Sequence, residues 1–246
     1  MLNKKNLIEL GSKTAKNGFK NEQDICDRFH NWENDEVSQN WLVIMGYEIS
    51  QIKSVKALVL HGYKADINVQ VFVFYKENVD VRNIQVKLVS NKKGFNQIDK
   101  RWVKTYQELW QFDDKICEIL QYFTGELRQD SKKRLFISDF SENEQALLLR
   151  WFNDNKILVL TDILRGRGEF SAEWVLVAQK ISQNARWILK NINEVLQHYG
   201  NGAVEISPRG SLKIGRVTMQ RKGGDNGRPT ANMLQFKIDP TELFDI

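Results

Sequence analysis

Two periodicities alternate along the chain and divide it into elements. From Ser12 to about Asn31 the apolar residues Ile25, Cys26 and Phe29 recur at helical spacing, with Glu22 and Asp24 close by, and a second helix is predicted from Asp35 to Met45. The period then falls to two. Lys56 to Leu60, Asp66 to Tyr75 and Val81 to Ser90 are rich in Val, Ile and Phe and are separated by turn residues, which predicts three consecutive strands in an antiparallel meander. Along the second strand Ile67, Val69, Val71 and Val73 share one face and leave Asp66, Asn68 and Gln70 on the other. Along the third, Ile84, Val86 and Leu88 oppose Gln85, Lys87 and Val89, so the two polar faces can coincide.

Beyond a basic loop at 91 to 101, one long amphipathic helix is expected from Trp102 to Phe123, stopped at Thr124-Gly125, and then a polar surface loop over 126 to 134. Ser141 and Glu144 form a capping box for a helix through Asp154. Ile157 to Leu164 and Glu173 to Lys180 read as buried strands, and the Arg165-Gly-Arg-Gly run between them as a tight turn. Asn184 to Tyr199 reads as a helix, and Val204 to Ile206, Leu212 to Gln220 and Met233 to Ile238 as strands. The fold class expected is α/β: a mixed central β-sheet flanked by helices over residues 1–180, with a β-rich C-terminal recognition region over 181–246, packed as one compact unit.

A length of 246 residues supplies a sizeable core without staples, and 41% hydrophobic with 27% charged residues is ordinary for a globular chain. Apolar runs such as Trp41 to Met45 are far too short to span a bilayer, and no secretory h-region follows the first residues, so no membrane partner and a cytoplasmic location are expected. Cys26 and Cys117 sit in apolar, helix-like contexts and read as reduced packing residues. His30, His61 and His198 lie too far apart for an HExxH zinc site, and neither a GxSxG elbow nor a P-loop is present.

Charge changes the picture once it is located. Arg82 to Lys104 and Ile206 to Lys237 each hold seven Lys or Arg against one Asp, a local +6 apiece, so with a whole-chain charge of +5 the remainder carries −7. Two basic segments on an acidic body suit a polyanion groove, although lysine-rich solvated loops would give the same count. Gly94, Phe95, Asn96 and Gln97 accompany the first segment; Gly223, Gly224, Asn226 and Gly227 accompany the second. Glycine allows a backbone to approach phosphate, and Asn or Gln can read base edges.

The candidate chemistry lies on the meander. Asp66, then eighteen residues, then Gln85-Val86-Lys87 is the arrangement a metal-dependent phosphodiesterase needs on adjacent strands. An Asp carboxylate is a hard oxygen ligand for Mg²⁺ and a Gln carbonyl a weaker second one, while a Lys ammonium can orient water and balance charge on the phosphorane. Glu22 is a further candidate carboxylate. The same residues also fit a plain strand start with a solvated edge. Gln220-Arg-Lys222 and Gln235-Phe-Lys237 repeat the tripeptide without an Asp about twenty residues upstream on a strand.

At these residues the chain resembles the PD-(D/E)XK nuclease superfamily, with Gln85 in the slot usually held by an acid. Over almost its whole length it is similar to type II restriction endonucleases of the HinP1I type, which cut double-stranded GCGC. The resemblance is carried by Gly62 to Gln70, Asn83 to Asn91, Gly94 to Lys100, Leu160 to Gly168, Asn193 to Gly200 and Gln220 to Arg228. The family motif Ser-Asp-x18-Gln-x-Lys is matched by Asp66, Gln85 and Lys87, whereas Ala65 stands where the serine would be. The resemblance implies Mg²⁺-dependent hydrolysis of one phosphodiester per strand after the first G, leaving 5′-phosphates and a short 5′ overhang. It also implies a cognate DNA methyltransferase as host protection and admits a homodimer.

Residues expected to touch DNA follow from the two basic segments. Lys93, Phe95, Asn96 and Gln97 come directly after the catalytic strand, with Phe95 open to two readings, a core anchor or a wedge between base pairs. Arg221, Lys222, Asp225, Asn226 and Arg228 form the second set, either reading guanine and cytosine edges or clamping phosphates.

Overall fold

The computed structural model describes residues 4–73, 79–127, 135–223 and 228–246. They fall into two compact units interleaved along the chain, one from Glu9–Gly94, Arg165–Val195 and Pro240–Ile246, the other built chiefly from Phe95–Leu164 and Leu196–Asp239.

The first unit holds a mixed five-stranded sheet in the order β1-β2-β3-β5-β6, with β1 (Ile52–Val59), β2 (Ile67–Val73), β3 (Val79–Val89), β5 (Trp174–Ile181) and β6 (Asn184–Asn191). The meander is present as expected, since β1, β2 and β3 pair antiparallel, and β3 then pairs parallel with β5. Alternation builds the core: Ile67, Val69, Val71, Ile84 and Val86 are almost wholly buried on the face covered by α1 (Lys4–His30) and α2 (Glu36–Ile44). From the helices come Ile25, Cys26, Phe29, Trp41 and Leu42, each at 0 to 2% exposure. Each large side chain buried in this way contributes roughly 1.5–3 kcal/mol. Asp35 sets the corner between the helices, because its carboxylate accepts from Ser38 N (2.9 Å) and from Arg28 (2.7 Å). Burial pushes the Cys26 thiol up to about 12, so it stays protonated and inert, as a packing residue should.

The second unit holds an antiparallel sheet in the order β4-β10-β9-β8-β7, from β4 (Asn96–Arg101), β7 (Val204–Ile206), β8 (Leu212–Ile214), β9 (Val217–Arg221) and β10 (Leu234–Ile238). Its helices are α3 (Val103–Trp110), α4 (Asp114–Thr124), α5 (Glu142–Asp154) and α6 (Lys156–Arg165). α5 starts on the expected capping box, Ser141 with Glu144. A buried polar network ties β4 to two helices. Asp162 of α6 accepts from Arg101 (2.6 Å) and from Trp110 Nε1 (2.9 Å), and Asp99 accepts from Tyr106 OH (2.7 Å) and Arg101 (3.0 Å). Burial and the Asp99 carboxylate hold the Tyr106 hydroxyl well above its ordinary range.

Five expectations about single elements need correction, and each has a physical cause. The second half of the basic loop at 91 to 101 is strand β4, because β10 supplies its hydrogen-bond partner. The single helix from Trp102 is two helices: Gln111 turns left-handed (φ 58°) and Asp113 caps the new start by accepting from Ile116 N at 2.8 Å. Ile157 to Leu164 is helix, not strand, since Val159, Leu160, Ile163 and Leu164 are buried while Ile157 is 83% exposed, a period near four. Asn184 to Tyr199 is strand β6 followed by α7 (Ile192–Gly200), with the Asn191 side chain accepting from Asn193 N (2.9 Å) at the junction. Leu212 to Gln220 folds back as a hairpin at Gly215 (φ 60°), where a Cβ would lie 2.5 Å from Tyr199 O. The two sheets interleave along the chain, with β4 of the second sheet preceding β5 and β6 of the first.

Replacing Asp162, 2% exposed, by Ala strands the Arg101 guanidinium half-buried without its shortest partner. An expected loss of about 3–5 kcal/mol in a urea unfolding titration follows from breaking a buried pair on one side. A loss below about 1 kcal/mol would show that the network is not holding β4.

Candidate active site

The site begins with where Asp66 is held. It sits one residue before β2, with its backbone N–H donating to Ile84 O (3.0 Å) and its carbonyl accepting from Leu60 N (2.8 Å), so it is stitched to both neighbouring strands. Its side chain returns to β3, where Oδ2 accepts from Val86 N at 2.6 Å. A bond from a backbone N–H to a charged acceptor is worth about 1.5–3 kcal/mol, enough to hold one rotamer. With Ile67 paired to Ile84, Gln85 and Lys87 flank that Val86 on the opposite side of the strand pleat. Gln85 is 3% exposed and donates its amide nitrogen to Lys64 O (3.4 Å), which turns its carbonyl oxygen to the other side of the amide, where it could accept or ligate.

The turn at Arg165 to Gly168 has the tight-turn role expected of it, and it also braces the site. Gly166 (φ 79°) lies so close to Lys64 that a Cβ would come within 2.5 Å of that side chain, and Ala65 N donates to Phe170 O at 3.1 Å. Ala65 itself is 1% exposed. The three residues ending in Asp66 are thus held from behind.

Glu22 arrives on α1. Its carboxyl is pushed up to about 7, first by burial, then by the Asp66 carboxylate, with the Lys87 ammonium pulling the other way. Glu22, Asp66 and Lys87 therefore share one electrostatic neighbourhood. Among the described residues no group of three or more His, Cys, Asp and Glu is placed to hold a metal. Two carboxylates and one amide oxygen still fit Mg²⁺, which is bound through one or two carboxylates and keeps several waters. Asp66 and Gln85, across from one another by strand register, are the residues that could hold such an ion, with Glu22 in the same electrostatic neighbourhood.

Apart from Lys93, the other described candidates lie on or beside the second sheet. Phe95 is 53% exposed, with Lys237 Nζ 5.0 Å from its ring centre, so it is not a core anchor. Asn96 opens β4 opposite Ile238, and Gln97 lies opposite Lys237. Lys93 is exposed in the preceding loop, and Arg228 is exposed at the start of a short 3₁₀ turn. Arg221 is engaged in structure, donating to Ala231 O (3.2 Å) and to Asn232 Oδ1 (2.6 Å) across the base of its loop. The backbone of half-buried Lys222 closes the same base by donating to Met233 O (2.9 Å). Asp225 and Asn226 lie outside the described residues.

Four residues of this face escaped the sequence reading as candidates: Arg209, Lys213, Thr218 and Gln220. With Phe95 and Phe136 they line an open cleft of about 730 Å³. Strand register puts Gln97, Lys237, Thr218 and Lys213 in one cross-strand row. The signal in the sequence is alternation, since Val217 and Met219 are buried between the polar positions.

The model of the R.HinP1I restriction endonuclease family matches residues 45–244, a span that contains Asp66, Gln85, Lys87 and both basic segments but not Glu22. The chain belongs to the R.HinP1I restriction endonuclease family. It is accordingly a type II site-specific deoxyribonuclease, and enzymes of the R.HinP1I kind generally work with divalent metal ions. Among solved structures, the restriction endonuclease MspI in complex with its cognate DNA superposes with a TM-score of 0.64, at 15% identity, over 88% of this chain and 87% of that one. That likeness shows a shared fold. No curated protein sequence matches.

In the metal-free protein the raised Glu22 carboxyl gives a signed pH effect. Its folded value lies above its ordinary 4.5, so folding stability falls as pH rises from about 4.5 to about 7 and the penalty is complete above that. Glu22→Gln should therefore raise the melting temperature at pH 8 and leave it nearly unchanged at pH 5. Equal effects at both pH values in thermal melts would contradict the placement of Glu22.

Proposed function

We propose that the protein cuts double-stranded DNA at GCGC, hydrolysing one phosphodiester per strand after the first G with Mg²⁺ and leaving 5′-phosphates and a short 5′ overhang. The observation that carries the chemistry is the 2.6 Å bond from Val86 N to Asp66, which fixes one carboxylate beside Gln85 and Lys87. Mg²⁺ held by Asp66 and Gln85 would supply Lewis acidity at the scissile phosphate. Lys87 orients the attacking water and offsets the charge that gathers on the phosphorane oxygens. Glu22, close to neutral-pH titration, takes or shares a proton at the water side of the site.

The target rests on the family resemblance together with the chemistry of the second sheet. Arg and Lys suit guanine N7 and O6, Asp suits the cytosine amino group, and Gln97, Lys213 and Gln220 add donors and acceptors. A palindromic target fits a homodimer with one site per strand. A host carrying such an enzyme needs its own GCGC sites masked, which makes a DNA methyltransferase of the same specificity the expected partner. The cytoplasm, where the DNA lies, is the expected location.

Incubating the protein with plasmid and Mg²⁺ and sequencing fragment ends tests the reading. Discrete bands ending at GCGC are expected, with protection when those cytosines are methylated. A smear would mean a general nuclease, and uncut plasmid a DNA-binding regulator. Asp66→Ala and Lys87→Ala should each abolish cleavage while duplex binding survives, and wild-type rates in either would remove the catalytic assignment.

Phe95 gives a separate expectation. As an exposed ring beside the basic face it acts as a wedge that unstacks a base step, at a cost of a few kcal/mol recovered through contacts on the bent duplex. Phe95→Ala should weaken cognate binding more than non-cognate by ~1–3 kcal/mol and leave the melting temperature unchanged. An equal loss for all sequences would sink the wedge.

A further inference from the structure

One cleft of the first unit is left unexplained by the catalytic group. It has a volume of about 230 Å³ and lies between α1 and the ends of β3 and β5, with Asn17, Lys20, Asn21, Asp24, Ser90 and Lys180 on its walls. Asn21 is the informative member. It is 2% exposed, yet neither its amide nitrogen nor its amide oxygen has a hydrogen-bond partner among the described residues. Leaving such a group unpaired costs about 1–3 kcal/mol, so the position calls for a ligand that can meet an amide donor.

The charge of the cleft says which ligand. Lys180 is paired to Asp24 at 3.0 Å, so those two cancel and the exposed Lys20 leaves a net positive wall. Ser90 adds a hydroxyl and Asn17 a second amide. Amide, hydroxyl and ammonium donors around one net positive charge match the non-bridging oxygens of a singly charged phosphodiester. The location fits as well. Asn21 is the neighbour of Glu22 on α1, and Ser90 follows Lys87 by three residues, about 10 Å along an extended chain. Successive phosphates of one DNA strand rise about 3.4 Å along the axis, which puts the occupant within about three nucleotides of the cut.

We propose that this cleft is a subsite for a DNA backbone phosphate flanking the scissile one, held by Lys20 and the Asn21 amide; the inference rests on the endonuclease reading above. The subsite anchors the cut strand next to Glu22 on α1, so Lys20 and Asn21 are positioning residues.

The test pairs protein variants with single-phosphate substitutions. Binding to a duplex that carries the cleaved sequence is measured without divalent metal, with one methylphosphonate placed in turn at each of three phosphates on either side of the cut. Wild-type protein should lose about tenfold in affinity at one position, and Lys20→Ala should bind that duplex and the unmodified one equally. Its slope of log affinity against log salt should also be shallower by about one. Asn21→Ala should blunt the same position while keeping its melting temperature, because the amide it removes makes no bond in the free protein. Additive losses at every position in a wild-type protein that binds and cuts would overturn the subsite alone. A wild-type protein that binds no duplex would overturn the endonuclease reading and the subsite with it.

Discussion

The hydrogen bond from Val86 N to Asp66 Oδ2 is the constraint around which the first unit is arranged. A carboxylate at a strand entrance could adopt several rotamers, and here one is selected by a backbone donor whose own position is set by the β2–β3 register. The cost is that one carboxylate oxygen is committed to the protein. The gain is a carboxylate fixed at the entrance of β2, where the register sets it across from Gln85, with Lys87 two residues further along β3. The support behind Asp66 follows from this. Lys64 and Ala65 must sit still, and the Gly166 turn and the Phe170 carbonyl hold them. Parallel pairing of β3 with β5 then covers β3 on both edges, so the ladder cannot slip by one residue and invert the face.

How much of this was legible depended on whether the information was local. Alternation over Ile67 to Val73 and Ile84 to Val89 names both strands and both faces, and the eighteen-residue gap selects Asp66 among several acids. Short signals were overridden where a partner distant in sequence decides. Asn96 to Arg101 looks like loop because its ladder comes from Leu234 to Ile238, and the register shift near Ile98 breaks its alternation. Lys156 to Arg165 has an apolar run that suits either state, and only the exposed Ile157 against the buried Ile163 separates them. The row of Gln97, Lys237, Thr218 and Lys213 was invisible for the same reason, being assembled from three strand pairings.

The basic segments divide their labour in a way that charge counting could not show. Some cations serve the fold: Arg101 bridges Asp99 and Asp162, Arg82 lies over the Tyr47 ring, and Arg221 closes the base of its loop. Others, such as Lys93, Arg209 and Lys213, stand on open surface. Structural arginines and interfacial lysines follow from chemistry, because the planar guanidinium satisfies two acceptors at once whereas an ammonium acts as a hydrated point charge. The excess of positive charge therefore overstates the number of groups offered to a polyanion, and the tethered members fix the strands on which the others are displayed.

Gln85 makes the charge balance of the candidate site unusual. With an amide where an acid is customary, β2 and β3 bring a single candidate carboxylate, Asp66, to the strand that carries Lys87. The second negative charge comes from α1. Burial and the Asp66 carboxylate raise Glu22 until it is half-protonated near pH 7, so the empty group carries less negative charge than its formula suggests. That arrangement avoids two ionised acids in a half-buried space while no cation is present. A divalent ion held by Asp66 and Gln85 would supply positive charge that favours the ionised form of Glu22, which would make α1, through a residue outside the meander, the adjustable part of the site.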